Sequence, residues 1–208
     1  MRPVVVLGMH KSGTTMLSQV LHRSGIRMVT REQEGGYRDR NYWEHDGFKD
    51  VNYDLLACRG VNSLKLDLSG TLHVTPELET AAAGVIEKEN EQGGPWGFKD
   101  PRTTLTYPFW RPLLDEHRIL AIYRHPLELW RHYRKNKSTA DPWPVLKNWR
   151  HYSNCMVQYI RETSEPWAVF SFRNLLRSDT HWAALSRFVE RDLVDERRPE
   201  TVRFSRDW

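Results

Sequence analysis

"RPVVVLGMHKSGTTML", residues Arg2–Leu17, joins a short apolar run, a glycine loop and the start of a helix. The run Val4–Leu7 closes at Gly8, which is typical of a strand buried on both faces of a parallel sheet. Apolar residues then recur on one face of Thr14–Arg23, and Gly25 can end that helix. A loop between a strand and a helix N-terminus binds phosphate through aligned N–H groups. The stretch therefore predicts a phosphate-binding loop at one edge of an α/β sheet.

The loop departs from the signature of nucleotide triphosphate-binding loops, G-x-x-x-x-G-K-[ST]. Gly8 and Gly13 have the right spacing, and Thr15 fills the hydroxyl position. However, Thr14 stands where the lysine belongs, and Lys11 lies within the loop instead. A lysine at this position would lie near the atom that bridges one phosphate to the next group. The loop alone leaves open an unusual triphosphate site and a site for another phosphorylated ligand.

Magnesium-dependent phosphoryl transfer also needs a carboxylate that holds the metal. We find no apolar strand that ends in an aspartate, and the clearest late strand ends in Arg124. We therefore expect no metal in the site.

Composition fits one ordinary globular domain over residues 1–208. Hydrophobic residues make up 39% and charged residues 28% of the chain, and the net charge is +4. Acidic residues are spread among the basic ones, which argues against an extended nucleic-acid-binding stripe. The two cysteines, Cys58 and Cys155, form no disulfide framework. The apolar run at the N-terminus is too short for a signal peptide or a membrane span, so we expect a cytoplasmic protein.

Strands and helices alternate along the chain, which predicts a parallel α/β sheet. Later strands are expected in "WGFKD", at Ile119–Tyr123 and in "PWAVFSF", with a further short one at Ile26–Val29. Ligands bind at the carboxyl ends of such strands. Helices are expected at Phe48–Cys58, from Pro76 to Gly93, from Pro126, at Trp143–Arg161 and from Asp179.

Three blocks of sequence together resemble the sulfotransferases that use 3′-phosphoadenosine 5′-phosphosulfate. "GMHKSGTTML" is similar to their 5′-phosphosulfate loop, and "YRHPLELW" is similar to the strand that ends in Arg-x-Pro. "VFSFRNLLRSDTHWAALSRFV" resembles their later strand, Leu-Leu pair and closing helix. The blocks extend from about residue 3 to residue 190, and the resemblance favours the bacterial branch.

The resemblance implies a fold, a donor and a set of residues that bind it. The fold would be a single-domain, three-layer α/β/α structure around a parallel sheet of four or five strands. Arg124 would bind the donor's 3′-phosphate, and His132 stands where the family usually has a serine. The later strand reads Phe172-Arg173 instead of the Tyr-Glu pair of many relatives. The expected donor-binding residues are His10, Lys11, Ser12, Gly13, Thr14, Thr15, Arg124 and His132.

The resemblance also implies how a sulfuryl group would be transferred. Lys11 would neutralise the oxygen that leaves with the 5′-phosphate, as positive charge does in related displacements. Glu44 in "NYWEHDGF" would be the general base, although Asn41 replaces the family's glycine there. The alternative bases are His45, Glu34, Asp100 and His10.

The cluster "KDPRTT" is open to two interpretations. Lys99 and Arg102 would flank the sulfuryl group or an acidic acceptor, with Lys99 acting in catalysis. Alternatively, Asp100 makes a simple turn and pairs with Arg102.

The acceptor is expected to be a hydroxyl of a small molecule, a lipid or a carbohydrate, and the protein a monomer or a homodimer. One rival is a P-loop nucleotide kinase with a displaced lysine, which would bind magnesium and a nucleotide triphosphate. The other is a non-catalytic protein that binds a nucleotide or a polyanion and shows strong salt dependence.

Overall fold

The computed structural model describes residues 2–30, 42–136, 139–195 and 197. Four parallel strands form one sheet in the order β2-β1-β3-β4. The strands are β1 Val4–Leu7, β2 Gly97–Lys99, β3 Arg118–Tyr123 and β4 Trp167–Ser171. The predicted α/β class and parallel sheet are confirmed.

Eight helices are described in these ranges. They are α1 Thr14–Arg23, α2 Asp46–Leu55, α3 Pro76–Glu91, α4 Thr103–Trp110, α5 Pro126–Lys135, α6 Trp143–Glu162, α7 Phe172–Arg177 and α8 Asp179–Val189. No helix in the described part of the chain is long and apolar enough to cross a membrane.

Helices cover both faces of the sheet because strand side chains alternate between them. Val5 and Leu7 of β1 belong to one buried cluster with residues of α2, α3, α4 and α6. Val4 and Val6 belong to a second cluster with residues of α1, α7 and α8. All four residues of β1 are buried, so β1 is the centre of a three-layer α/β/α arrangement.

One local expectation was wrong, and two expected elements are present but differ at their ends. Ile26–Val29 is not a strand, and only an isolated bridge joins Arg27 to Trp96. The last strand ends at Ser171, where Phe172 begins α7. The helix expected at Phe48–Cys58 begins two residues earlier, at Asp46, and ends at Leu55.

The strand order places the polar clusters at one edge of the sheet. β1 lies between β2 and β3, and all three strands run in the same direction. The segments that follow them begin at Gly8, Asp100 and Arg124. The three clusters, far apart in sequence, therefore meet where ligands bind in sheets of this kind.

Candidate functional site

The loop after β1 has the backbone shape of a phosphate cradle. Gly13 precedes α1 with φ 103°, and Lys11 has φ 70°. A Cβ at Gly13 would lie 2.1 Å from Cδ2 of Phe172, so glycine is required here by conformation and by space. No side chain caps the first turn of α1, whose N–H groups have no intrahelical partners. The loop and helix end together form a donor site for an anion.

The loop is held in shape by hydrogen bonds. The N–H and Oγ of Ser12 both donate to the carbonyl of Met9, at 3.1 and 2.6 Å. The N–H of Gly8 donates to Oγ1 of Thr104 on α4, at 2.8 Å, and Thr104 is fully buried. These bonds hold both ends of the loop in the shape of the cradle.

Arg124 lies beside the loop. It follows the carboxyl end of β3, and its Nη1 lies 3.4 Å from the carbonyl oxygen of Lys11. Its guanidinium carbon lies 5.0 Å from the ring centroid of Phe172, and its Nε donates to Glu128 at 3.0 Å. Indole Nε1 of Trp149 donates to the Arg124 carbonyl at 3.0 Å. The structure thus brings together the two sequence blocks that were expected to bind the donor.

His132 lies close to the same two cations. Burial, followed by the charges of Lys11 and Arg124, lowers the pKa of His132 to about 4. Its Nε2 lies 3.1 Å from Nδ2 of Asn136. The imidazole is therefore neutral near pH 7 and becomes easier to protonate once an anion reduces the local positive potential.

Glu44 lies between the side chains of Lys99 and Arg102. Its Oε1 is 3.3 Å from Nζ of Lys99, and its Oε2 is 3.7 Å from Nη2 of Arg102. The Glu44 side chain is 15% exposed, whereas that of Lys99 is fully buried. Lys99 also donates to the carbonyl of Tyr42, and Nζ of Lys11 lies 5.6 Å from the Tyr42 ring centroid. Tyr42 therefore connects the carboxylate cluster to the phosphate loop.

Burial lowers the pKa of Lys99, although the carboxylates of Glu44 and Asp100 oppose that shift. The position of Lys99 is compatible with two roles. It can orient the Glu44 carboxylate, and it can provide positive charge near the loop.

Asp100 follows directly after β2, which is Gly97–Lys99 and ends in a lysine. Its Oδ1 accepts from the N–H of Arg102 at 2.9 Å, and its Oδ2 accepts from Nε of Arg102 at 3.1 Å. Nδ2 of Asn52 lies 3.3 Å from the same Oδ2. Burial raises the pKa of Asp100 to about 6. The Asp100 carboxyl group is fully buried, and both of its oxygens accept hydrogen bonds. For Asp100, the structure therefore agrees with the second interpretation of the cluster, a turn in which Asp100 pairs with Arg102.

Asn52, which the sequence did not single out, organises the interior beneath this cluster. Its Nδ2 donates to Thr103 at 2.9 Å, and its Oδ1 accepts from Thr106 at 2.6 Å and from Trp110 at 2.8 Å. Asn52 is fully buried, and these bonds join α2 to α4. An asparagine in a helix that contains both polar and apolar residues gives no indication of this role in the sequence.

Arg102 is held by an aromatic ring as well. Its guanidinium carbon lies 4.0 Å from the centroid of Tyr53 on α2, a cation–π contact. Because α2 begins at Asp46, two residues after Glu44, the same helix that carries Asn52 and Tyr53 also fixes the segment of the carboxylate.

The alternative bases occupy different places. His45 is 2% exposed, and its Nε2 lies 3.1 Å from Oε1 of Glu89, away from the loop. Nδ1 of His10 is buried without a hydrogen-bond partner among the described residues. Burial and then Arg102, Lys11 and Lys99 lower the pKa of His10 well below its usual range, so its ring is neutral near pH 7. Glu34 lies outside the described residues.

No group of His, Cys, Asp and Glu side chains in the described ranges is arranged to hold a metal ion.

Comparisons with known proteins give a fold and no sequence relative. No protein-family model matches the chain, and no curated protein matches it either. The sulfotransferase domain of the Synechococcus PCC 7002 olefin synthase superposes with a TM-score of 0.60 at 14% identity, over 94% of this chain and 75% of that one. The sulfotransferase domain of the curacin biosynthetic pathway gives 0.51 at 10% identity, over 91% and 74%. The chain therefore has the sulfotransferase fold.

Proposed function

We propose that the protein transfers a sulfuryl group from 3′-phosphoadenosine 5′-phosphosulfate to a hydroxyl of a small-molecule, lipid or carbohydrate acceptor. The observation that carries this proposal is the contact between Arg124 and the backbone of the phosphate loop at Lys11, at 3.4 Å. Arg124 thus lies against the loop that carries Lys11 and that leads into the first turn of α1, which supports a ligand with more than one phosphate group. The sulfotransferase fold supports the same interpretation.

The residues present fit such a donor. The left-handed backbone at Gly13 and the open first turn of α1 suit the 5′-phosphosulfate. Arg124 and His132, which share one electrostatic environment with Lys11, suit the 3′-phosphate. Ser12 shapes the loop through Met9, and Thr14 and Thr15 start the helix, so these residues would contribute mainly backbone N–H groups and hydroxyls.

Glu44 is the base in this proposal. It accepts the proton of the acceptor hydroxyl while the hydroxyl oxygen bonds to sulfur. Lys11 neutralises the bridging oxygen, which keeps the electron pair of the broken S–O bond and leaves with the 5′-phosphate. Lys99 and Arg102, at 3.3 and 3.7 Å, hold the Glu44 carboxylate at the partly exposed side of the cluster. Most of the rate enhancement then comes from position and charge.

The alternative bases are less suited by geometry. Asp100 is fully buried and hydrogen-bonded to Arg102, and His45 is buried against Glu89. His10 is neutral and its Nδ1 is buried, which does not suit repeated proton exchange with an acceptor hydroxyl.

The two rival functions lack support from specific contacts. A magnesium-dependent kinase would need a free carboxylate at the end of β2, and both oxygens of Asp100 are engaged. A polyanion-binding protein would not need a Glu44 carboxylate held between two cations.

The test uses radiolabelled donor with a panel of simple phenols, alcohols and sugars. We expect label in at least one acceptor, and Lys11→Ala should lower kcat about 10²–10³-fold, which is typical of the loss of one charged donor. Glu44→Gln should reduce kcat at every pH, while the exposed Lys65→Ala serves as a control. Turnover in Lys11→Ala equal to wild type would disprove the role of Lys11, and wild-type activity in Glu44→Gln would disprove that of Glu44.

A further inference from the structure

The segment that carries Glu44 is anchored by the residue on each side of it. Trp43 is 1% exposed and has φ 51°, and its carbonyl accepts from Oγ of Ser18 on α1 at 2.8 Å. On the other side, His45 is 2% exposed and points toward α3. Glu44 is thus a partly exposed side chain between two buried ones.

The His45 anchor ends in a buried ionic group. Nε2 of His45 lies 3.1 Å from Oε1 of Glu89, and Nε of Arg27 lies 2.8 Å from Oε2 of the same carboxylate. Nη2 of Arg27 also donates to the Glu89 carbonyl at 2.8 Å. Burial works to raise the pKa of Glu89, but the neighbouring His45 ring and the hydrogen-bonded Arg27 outweigh it and hold the pKa below its usual range. Glu89 is therefore an ionised carboxylate inside the protein.

Arg27 connects this group to the strand that carries Lys99. The N–H of Arg27 donates to the Pro95 carbonyl at 3.0 Å, and the N–H of Gly97 donates to the Arg27 carbonyl at 2.9 Å. Gly97 begins β2, which ends at Lys99. One continuous network thus joins the segment of Glu44 to the strand of its partner Lys99.

A buried ionic group of this kind is not explained by stability alone. Replacing buried ion pairs with apolar residues of similar size is often neutral or stabilising, and buried ions are best attested as devices that fix one arrangement. The neighbouring glutamates of α3, Glu87 and Glu91, are exposed, so the burial is specific to Glu89.

We propose that His45 and Glu89 are positioning residues that set the Glu44 carboxylate relative to Lys99. This inference depends on the proposed function only in that Glu44 acts as the base. Loss of the Glu89 charge should free His45, loosen the segment from Tyr42 to His45 and reduce the fraction of molecules in which Glu44 lies beside Lys99.

The test combines hydrogen exchange with binding and turnover in Glu89→Gln, and Glu91→Gln is the matched control on the exposed face of the same helix. We expect backbone amides of residues 43–45 to exchange at least about tenfold faster in Glu89→Gln, by local opening, with β1 and β3 unchanged. Affinity for adenosine 3′,5′-bisphosphate should stay within about twofold of wild type, because the bonds that hold the loop backbone in shape, from Ser12 to Met9 and from Gly8 to Thr104, do not involve His45 or Glu89. His45→Phe keeps a ring against Phe48, whose centroid lies 4.9 Å away, and tests the same anchor if Glu89→Gln does not fold.

Measurements of kcat and KM distinguish a positioning role from a general loss of stability. With the radiolabelled donor and the best acceptor of the panel, kcat should fall about tenfold in Glu89→Gln with little change in KM for the donor. In a Glu44→Gln background the same substitution should cost nothing further, since its effect acts through Glu44.

Exchange at residues 43–45 equal to wild type in both Glu89→Gln and His45→Phe would overturn the proposal. So would equally faster exchange throughout β1 and β3, because that pattern indicates global destabilisation. If the wild-type protein transferred no sulfuryl group, the proposed function would fail, yet the exchange experiment would still report on the anchor.

Discussion

The contact between Gly13 and Phe172 gives a quantitative test of the phosphate loop. In Gly13→Ala, the new Cβ would lie 2.1 Å from Cδ2 of Phe172, in a backbone with φ +103°. The left-handed backbone alone costs an L-residue about 1–2 kcal/mol. Crowding in a packed site adds about 1–3 kcal/mol. We therefore expect the free energy of unfolding to fall by about 2–5 kcal/mol.

A second glycine separates these two contributions. Gly60 has φ +78°, and a Cβ there would meet nothing within 4 Å. Gly60→Ala should therefore cost only the backbone strain, about 1–2 kcal/mol. The difference between the two variants measures the crowding against Phe172. Phe172→Leu provides a smaller side chain beside residue 13. In the double variant Gly13→Ala/Phe172→Leu, part of the stability lost to crowding should be recovered, with a coupling energy of about 1 kcal/mol or more.

The assay is urea unfolding followed by circular dichroism, with calorimetric titration of adenosine 3′,5′-bisphosphate on the folded variants. Gly13→Ala should also weaken binding by at least about tenfold, because Phe172 supports Arg124 as well as the loop. Gly60→Ala should bind as tightly as wild type. If Gly13→Ala were no less stable than Gly60→Ala and bound the bisphosphate normally, the loop would not have the described shape.

Two further predictions concern the supports of the same site. Thr104→Val leaves the buried N–H of Gly8 without its partner at 2.8 Å, so the free energy of unfolding should fall by about 1–3 kcal/mol in urea unfolding. Thr80→Val, on the exposed face of α3, should change the free energy of unfolding far less, and equal losses would contradict the account. The pKa of His132 is about 4 in the free protein, and a bound 3′-phosphate should raise it, so binding near pH 6 takes up a proton and strengthens as pH falls. Calorimetric titrations with adenosine 3′,5′-bisphosphate at pH 6, in two buffers of different ionisation enthalpy, should give different binding enthalpies for wild type. The two enthalpies should agree more closely for His132→Asn. If His132→Asn leaves the difference unchanged, another group takes up the proton.

The sheet was predictable because its strands are strongly apolar and its helices amphipathic. β1 is four buried apolar residues that close at a glycine, and β3 has four buried apolar residues, Ile119–Ile122, between its two ends. By contrast, α4 was not predicted, since nearly all of its residues are buried and it contains Pro108. A helix buried on all sides has no polar face, so it shows no periodic signal.

The site was predictable to the extent that its groups follow strands. Lys11 and Arg124 were placed together by the rule that ligands bind at the carboxyl ends of parallel strands. The partners of Glu44 were less visible, because Lys99 and Arg102 had an equally good interpretation as a turn. Asn52 and Glu89 could not be found, since buried polar pairs between distant helices leave no local pattern in the sequence.

The central claim is that the loop and Arg124 bind a nucleotide with separate 5′ and 3′ phosphates. The measurement that tests it most directly is calorimetric titration of the protein with adenosine 3′,5′-bisphosphate, beside magnesium and ATP. We expect the bisphosphate to bind at micromolar affinity or better, with binding lost in Lys11→Ala and in Arg124→Ala. No binding of the bisphosphate, together with binding of magnesium-ATP, would contradict the account and make residues 8–15 a variant triphosphate loop.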